Sequence, residues 1–218
     1  MSDRALYDDL YNIDDETLDR LVLSYMPLFQ RVTQIVSSNR MSPVLEVGCG
    51  HGVLAELLIA AKMDYLGFDF NEIAVEKAKK RNGAERHFVS DATDATTYTV
   101  PYNGIVCCEV LEHIDNDLGV VELWKPGCAC VCSVPNFDYQ THVRFFRSES
   151  EITGRYGRLL EFERIERITK SPKTGVTWQR YFQRLRWSRN DPKAFLGHLG
   201  FNKFEWHGGW FLFVAKRR

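Results

Sequence analysis

The chain has 218 residues, 44% of them hydrophobic and 26% charged, and a formal net charge of −1; this suits one soluble globular domain with a substantial core. It contains no run of about 18 apolar residues, so no membrane-spanning helix is expected, and the polar, acidic stretch from Met1 to Leu10 fits no signal peptide. The near-zero charge does not exclude a charged partner, because it hides a split: residues 1–143 carry 11 basic and 22 acidic side chains, and residues 144–218 carry 17 and 7.

In chain order, Leu18, Leu21, Val22, Tyr25, Leu28, Phe29, Val32 and Ile35 recur at helical spacing, with Pro27 as an expected break or kink. Residues 1–39 read as an N-terminal helical lid. A strand–helix alternation follows. Strands are expected at Val44–Val47, Tyr65–Asp69, Glu85–Ser90, Gly104–Glu109 and Cys128–Val134. Helices are expected around Leu54–Ala61, at Ile73–Arg81 with Asn71 as N-cap, and at Leu118–Trp124, stopped by Pro126-Gly127. Five apolar strands separated by helices predict an α/β fold whose parallel sheet is covered on both faces.

Further on, Pro192–Leu199 reads as a helix ending at Gly200. Phe201–His207 and Trp210–Lys216, joined by Gly208-Gly209, predict an antiparallel hairpin. Residues 137–189, rich in arginine and aromatics, read as a cap inserted over the strand ends, where open α/β sheets bind ligands. Residues 40–136 and 190–218 then form the core of a single domain. Within the cap, Trp178–Arg189 interleaves arginine with aromatics: it suits nucleic acid, a small anion, or simply a solvated amphipathic face.

The six cysteines, Cys49, Cys107, Cys108, Cys128, Cys130 and Cys132, show no C-x-x-C spacing. They read as small buried hydrophobes in a reducing, cytoplasmic setting.

Glu46-Val47-Gly48-Cys49-Gly50-His51-Gly52 follows the first strand and opens a helix. Glycines there permit positive φ and close approach of a ligand to the backbone. Asp69 ends the second strand, where a carboxylate can accept both hydroxyls of a ribose, and Asp91 ends the third, where one can accept from an adenine amino group. Acids at three successive strand ends point to a nucleoside. The loop is not a dinucleotide fingerprint, since the third glycine position counted from Gly48 is Val53.

The E-x-G-x-G-x-G loop instead resembles motif I of the class I S-adenosylmethionine (SAM)-dependent methyltransferases. Leu66–Asp69 is similar to that family's ribose motif, Ser90-Asp91-Ala92 to its adenine motif, and Cys108–His113 to its motif after the fourth strand. The resemblance implies a Rossmann-like seven-stranded sheet, five parallel βα steps plus a C-terminal antiparallel hairpin, that binds SAM and releases S-adenosylhomocysteine. It places Glu46 and Gly48-Cys49-Gly50 beside the cofactor's amino acid part, Asp69 on the ribose, Asp91 and Ala92 on the adenine, Phe70 against its ring, and Glu109 at the methionine end.

The run Glu109-x-x-Glu112-His113 resembles both the ubiquinone-biosynthesis O-methyltransferases and the Hen1-type small-RNA 2′-O-methyltransferases. His142 stands where the latter carry a further histidine. Two readings stay open: Glu109, Glu112, His113 and His142 hold a divalent metal, or His113 or His142 acts as general base without one. The expected activity is methyl transfer to a hydroxyl of a small molecule, which the charge split suggests is an anion. An RNA-terminus 2′-O-methyltransferase and a non-catalytic SAM-binding partner subunit are the alternatives. Nothing in the sequence bears on oligomeric state.

Overall fold

The computed structural model describes residues 4–170, 178–199, 201 and 203–218. It contains helices α1 (Arg4–Tyr11), α2 (Asp15–Ser38), α3 (Val53–Ala60), α4 (Glu72–Asn82), α5 (Asp117–Leu123), α6 (Glu149–Tyr156), α7 (Trp178–Trp187), α8 (Pro192–His198) and α9 (Phe204–His207). Its strands are β1 (Val44–Val47), β2 (Tyr65–Asp69), β3 (His87–Val89), β4 (Gly104–Cys108), β5 (Ala129–Pro135), β6 (Leu160–Thr169) and β7 (Gly209–Arg217). Gly200, expected to end α8, lies outside the described residues.

The seven strands form one sheet in the order β3-β2-β1-β4-β5-β7-β6. β1 to β5 are mutually parallel, β7 is antiparallel to β5, and β6 is antiparallel to β7. Side chains alternate between the two faces. Leu45, Val47, Ile105, Cys107, Cys130, Cys132, Phe211 and Phe213 pack on one side with Trp124 and Tyr156. Val44, Val106, Val131, Trp210, Leu212 and Val214 pack on the other with Leu28, Val32, Ile35, Leu54 and Leu58. Burial on both faces explains why these strands read as unbroken apolar runs. All six cysteines are free, and all but Cys108 are fully buried.

α2 begins at Asp14, whose Oδ1 accepts the Thr17 amide at 2.7 Å, and runs unbroken through Pro27. A proline inside a helix, through its lost hydrogen bond and ring clash, costs about 3 kcal/mol. Burying Leu28, Val32 and Ile35, all at most 2% exposed, returns about 1.5–3 kcal/mol for each side chain, so packing outweighs the break.

The antiparallel pair at the end of the sheet is present, but its arms differ from the sequence expectation. Phe204–His207 is helical, and the partner of β7 is β6, with a bulge between Phe162 and Arg164. β6 and α6, which packs beside it, therefore belong to the core rather than to an inserted cap. β6 is one of the two edge strands, and its Glu161, Glu163, Arg164, Glu166 and Arg167 guard it against further pairing.

The order of strands reverses between β1 and β4, and the crevice beyond their carboxyl ends is where such sheets bind ligands.

Candidate active site

A cavity of about 680 Å³ opens at this reversal point, within the usual range for small-molecule sites. Its walls include Gly48, Asp69, Phe70, Asp91, Ala92, Glu109, His113 and His142, together with Tyr7 and Tyr11 of α1. Most of the residues expected from sequence are thus brought together. Glu46, Cys49, Gly50 and Glu112 do not line it.

The glycine loop is built for close approach. Gly48 has φ +70°, and a Cβ there would lie 2.4 Å from Val110 Cγ2. Glu46, expected to face the cofactor, points beneath the loop instead. It is buried, and Tyr65 Oη donates to its Oε2 at 2.5 Å. Burial pushes its carboxyl up to about 8, partly offset by the tyrosine hydrogen bond. Cys49 is buried as well. Gly50 turns its amide to Asp69 Oδ2 at 3.0 Å and is covered by the Tyr11 ring.

Asp69, 3% exposed, is the hub of the nucleoside half. Its Oδ1 accepts the Asn71 amide at 3.0 Å, opposite the Gly50 amide on Oδ2. Burial raises its pKa while these donors oppose the rise. Asp91 is exposed at the rim; its Oδ1 accepts both the amide and the hydroxyl of Thr93, at 2.8 and 2.7 Å. Phe70 meets Tyr7 edge-on, with ring centroids 5.1 Å apart.

The opposite half holds Glu109 and the cavity's two imidazoles. Glu109 follows β4 with φ +60°, a left-handed conformation that is uncommon for a non-glycine residue and typical of functional strain. Ser133 Oγ donates to its Oε1 at 3.0 Å and Trp210 Nε1 to its Oε2 at 2.6 Å. Burial raises its pKa, and these two donors oppose the rise. Glu112 is fully buried and neither of its oxygens has a hydrogen-bond partner. Burial, reinforced by Glu109, holds its pKa well above the usual carboxylate range.

His113 Nδ1 lies 2.9 Å from the Thr141 carbonyl and His142 Nδ1 lies 3.2 Å from the Phe137 carbonyl. A carbonyl only accepts, so both rings carry their proton on Nδ1 and present a bare Nε2. Burial lowers both pKa values, His113 to about 4, so both are neutral at pH 7. Donor atoms of Glu112, His113 and His142 lie within 4.8 Å of one another. Glu109, expected as a fourth metal ligand, is outside this group because its oxygens are held by Ser133 and Trp210. A buried carboxylate without donors beside two imidazole lone pairs is a donor set that fits a divalent cation.

Among the described residues, several arginines are engaged away from the mouth where the charge split suggested they gather. Arg144 donates to the carbonyls of Leu111, Ile114 and Asp115, and Arg144 and Arg155 both pair with buried Asp117. Arg31 and Arg164 pair with Glu166, and Arg167 pairs with Glu149 and Glu205. Among the described residues Lys170 brings a cation near Glu109 without lining the cavity, and sequence reasoning missed it: its Nζ sits 4.7 Å over the Phe137 ring, and Glu109 opposes the lowering of its pKa by burial. Tyr7, Tyr11, Ser133 and Trp210 were also missed. The Tyr7/Tyr11 pair, one turn apart on α1, was the one local signal.

Among the described residues no helix is long and apolar enough to cross a membrane. Residues 23–192 match the family model described as "Methyltransferase domain". The ubiquinone biosynthesis O-methyltransferase of Pectobacterium carotovorum subsp. carotovorum (strain PC1) is 32% identical over 93 residues, 38% of this chain and 39% of that protein. The chain spans about half or less of the length of the curated relatives it matches. Two solved structures share the fold. One is a methyltransferase in complex with the Trm112 methyltransferase activator of Haloferax volcanii, with TM-score 0.65, 17% identity, and coverage of 98% of this chain and 96% of that one. The other is the methyltransferase domain of bacterial CtHen1, with TM-score 0.58, 19% identity, and coverage of 89% and 99%. The family match spans most of the chain, and it falls on the same sheet, glycine loop and strand-end acids that form the cavity: the chain belongs to the class I SAM-dependent methyltransferases.

Proposed function

We propose that the chain transfers a methyl group from SAM to a hydroxyl oxygen of a small anionic molecule, releasing S-adenosylhomocysteine. The carrying observation is the pair of neutral imidazoles, His113 and His142, with unprotonated Nε2 atoms, on residues that line the same cavity as Asp69. SAM, when bound, supplies a methyl already activated by its sulfonium, so positioning does much of the work. Asp69 takes the ribose, Asp91 and Ala92 the adenine edge, and the Gly48–Gly50 backbone the amino acid part. Phe70 packs on the adenine. Glu46 and Cys49 support the loop from below.

In the transfer, the S–CH₃ bond breaks as the O–CH₃ bond forms, and the hydroxyl proton passes to the Nε2 of His113 or His142. Lys170, over Phe137 and within electrostatic range of Glu109, suits a carboxylate or phosphate on the acceptor. The matched relatives, named O-methyltransferases, support the choice of oxygen. The six free cysteines support a cytoplasmic setting.

The unpartnered oxygens of Glu112 favour a second reading, in which Glu112, His113 and His142 hold a divalent cation that engages acceptor hydroxyls, as at an RNA terminus. The test is transfer of labelled methyl from SAM to hydroxylated carboxylates, to the matching amines and to RNA ends, with and without chelator. Methyl ether products on small acids, insensitive to chelator, support the first reading. Chelator-sensitive methylation confined to RNA ends overturns it.

A further inference from the structure

His113 and His142 stand on two different segments, one following β4 and one following β5. For both rings to serve one hydroxyl, these segments have to hold a fixed register. His113 Nδ1 lies 2.9 Å from the Thr141 carbonyl, and the Val143 amide donates to the Glu112 carbonyl at 2.8 Å. The two imidazoles meet edge-on, with centroids 4.9 Å apart. A further tie comes from Arg144, which follows His142 by two residues. Its Nη1 donates to the carbonyls of Leu111 and Ile114, and its Nη2 to the carbonyl of Asp115 at 2.8 Å. One guanidinium thus gathers carbonyls from both sides of His113.

The chemistry of that junction calls for arginine. Leu111–His113 is a single 3-10 turn, and the last carbonyls of so short a turn lack partners within it. Three converging carbonyls suit a planar fork of N–H donors, whereas lysine offers one nitrogen. The fork is also anchored from beneath. Its Nη1 lies 3.3 Å from Oδ2 of Asp117, which is fully buried at the start of α5. Asp117 is in turn held by the Tyr156 hydroxyl at 2.6 Å, by the Leu118 amide at 2.9 Å and by Arg155 Nε at 2.8 Å. Arg144 is therefore clamped between a fixed carboxylate and the backbone that carries His113, and it does not line the cavity itself.

We propose that Arg144 is a positioning residue for the methyl transfer: anchored on Asp117, it holds the carbonyls around His113 so that the bare Nε2 atoms of His113 and His142 address the same acceptor hydroxyl. The inference deepens the proposed function and rests on its reading of the two imidazoles. Arg144 exchanges no proton and touches no reactant. Without its fork the 111–115 segment relaxes, and His113 loses the Thr141 carbonyl that keeps its proton on Nδ1. The ring then mixes tautomers, and its lone pair no longer has a fixed direction. A misplacement of about 1 Å is enough to cost on the order of 100-fold in rate.

Histidine-selective nitrogen NMR of the full chain at neutral pH reads the ring tautomers without any acceptor, with signals assigned through His113→Gln and His142→Gln. Wild type is expected to show both rings protonated on Nδ1. Arg144→Ala is expected to lose that signature at His113. It also loses about 100-fold in kcat on the hydroxylated carboxylates that wild type methylates, with KM and SAM affinity unchanged. Arg144→Lys keeps the charge beside Asp117, which protects folding, but lacks the fork, and it falls between the two. Arg155→Ala removes the other cation from Asp117 and no contact with the 111–115 segment, so it lowers the Tm and leaves ring signature and kcat at wild-type values. A wild-type signature in both Arg144 variants, or an equal kcat loss in Arg155→Ala, overturns the role of Arg144 and leaves the proposed reaction standing. Wild-type rings protonated on Nε2 overturn the reading of the two imidazoles, and this inference with it.

Discussion

Trp210 and Glu109, 101 positions apart in the chain, meet through a 2.6 Å hydrogen bond from the indole Nε1 to the carboxylate Oε2. The bond ties the first residues of β7 to the loop after β4 and fixes Glu109 in its left-handed backbone conformation. With Ser133 on the other oxygen, it holds Glu109 as a wall of the cavity rather than as a ligand in the Glu112 cluster.

Trp210→Phe keeps an aromatic ring but removes that donor. Hydrogen bonds to charged groups contribute about 1.5–3 kcal/mol, and some cavity cost adds to this, so we expect a loss of about 2–4 kcal/mol in urea unfolding. The Glu109 pKa rises further, because the donor that most favours its ionised form is gone. A variant as stable as wild type would show that the bond carries little.

Glu46 sets a pH signature. Its folded pKa is raised from 4.5 to about 8, so its contribution is fully present below its unfolded value and is lost as pH rises through about 8. Glu46→Gln accepts from Tyr65 without ionising. It is expected to flatten the decline in stability between about pH 4.5 and 8, a difference on the order of 4–5 kcal/mol at the alkaline end. SAM affinity stays unchanged if Glu46 acts beneath the loop. A ten-fold loss of affinity with an unaltered pH–stability profile would restore the direct cofactor contact.

The Glu112 cluster is open to thermal shift measurements. Divalent cations are expected to raise the Tm of wild type, because Glu112, His113 and His142 converge, and binding to the folded state alone stabilises it. Glu112→Gln abolishes that shift and stabilises the metal-free protein at pH 8, since the buried carboxyl no longer has to take up a proton on folding. If neither Mg²⁺, Mn²⁺ nor Zn²⁺ moves the wild-type Tm, the three donors do not form a cation site.

Gly48→Ala combines a positive φ with a clash against Val110. It is expected to cost about 2 kcal/mol or more. Adding Val110→Ala recovers the steric part, leaving about 1 kcal/mol of backbone strain. Denaturation of both variants separates the two. A single variant within 0.5 kcal/mol of wild type, the usual scatter of roughly neutral substitutions, would contradict the geometry.

Much of the parallel half was legible because β1, β2, β4 and β5 are buried on both faces and therefore write apolar runs into the chain. The acids Asp69 and Asp91 were legible because each sits at the end of such a run. β6 was not: as an edge strand it alternates Leu160, Phe162, Ile165 and Ile168 with charges, and its bulge after Phe162 breaks the period. The stretch at 204–207 was misread as strand because its aromatics carry β propensity, whereas packing of Phe204 on Phe211, centroids 4.9 Å apart, holds it as a short helix. Trp210, Ser133, Lys170 and Tyr11 reach the site through contacts distant in sequence, and no local pattern announces them. The orientation of Glu46 was missed for the same reason, since its partner Tyr65 lies on the neighbouring strand.

The most direct test of SAM binding in the cavity between Gly48, Asp69 and Asp91 is calorimetric titration of wild type and Asp69→Ala. Wild type is expected to bind one SAM per chain, and Asp69→Ala at least about ten-fold more weakly, as loss of a charged hydrogen-bond acceptor predicts. Binding of equal strength in the two proteins, or none in wild type, would contradict the account.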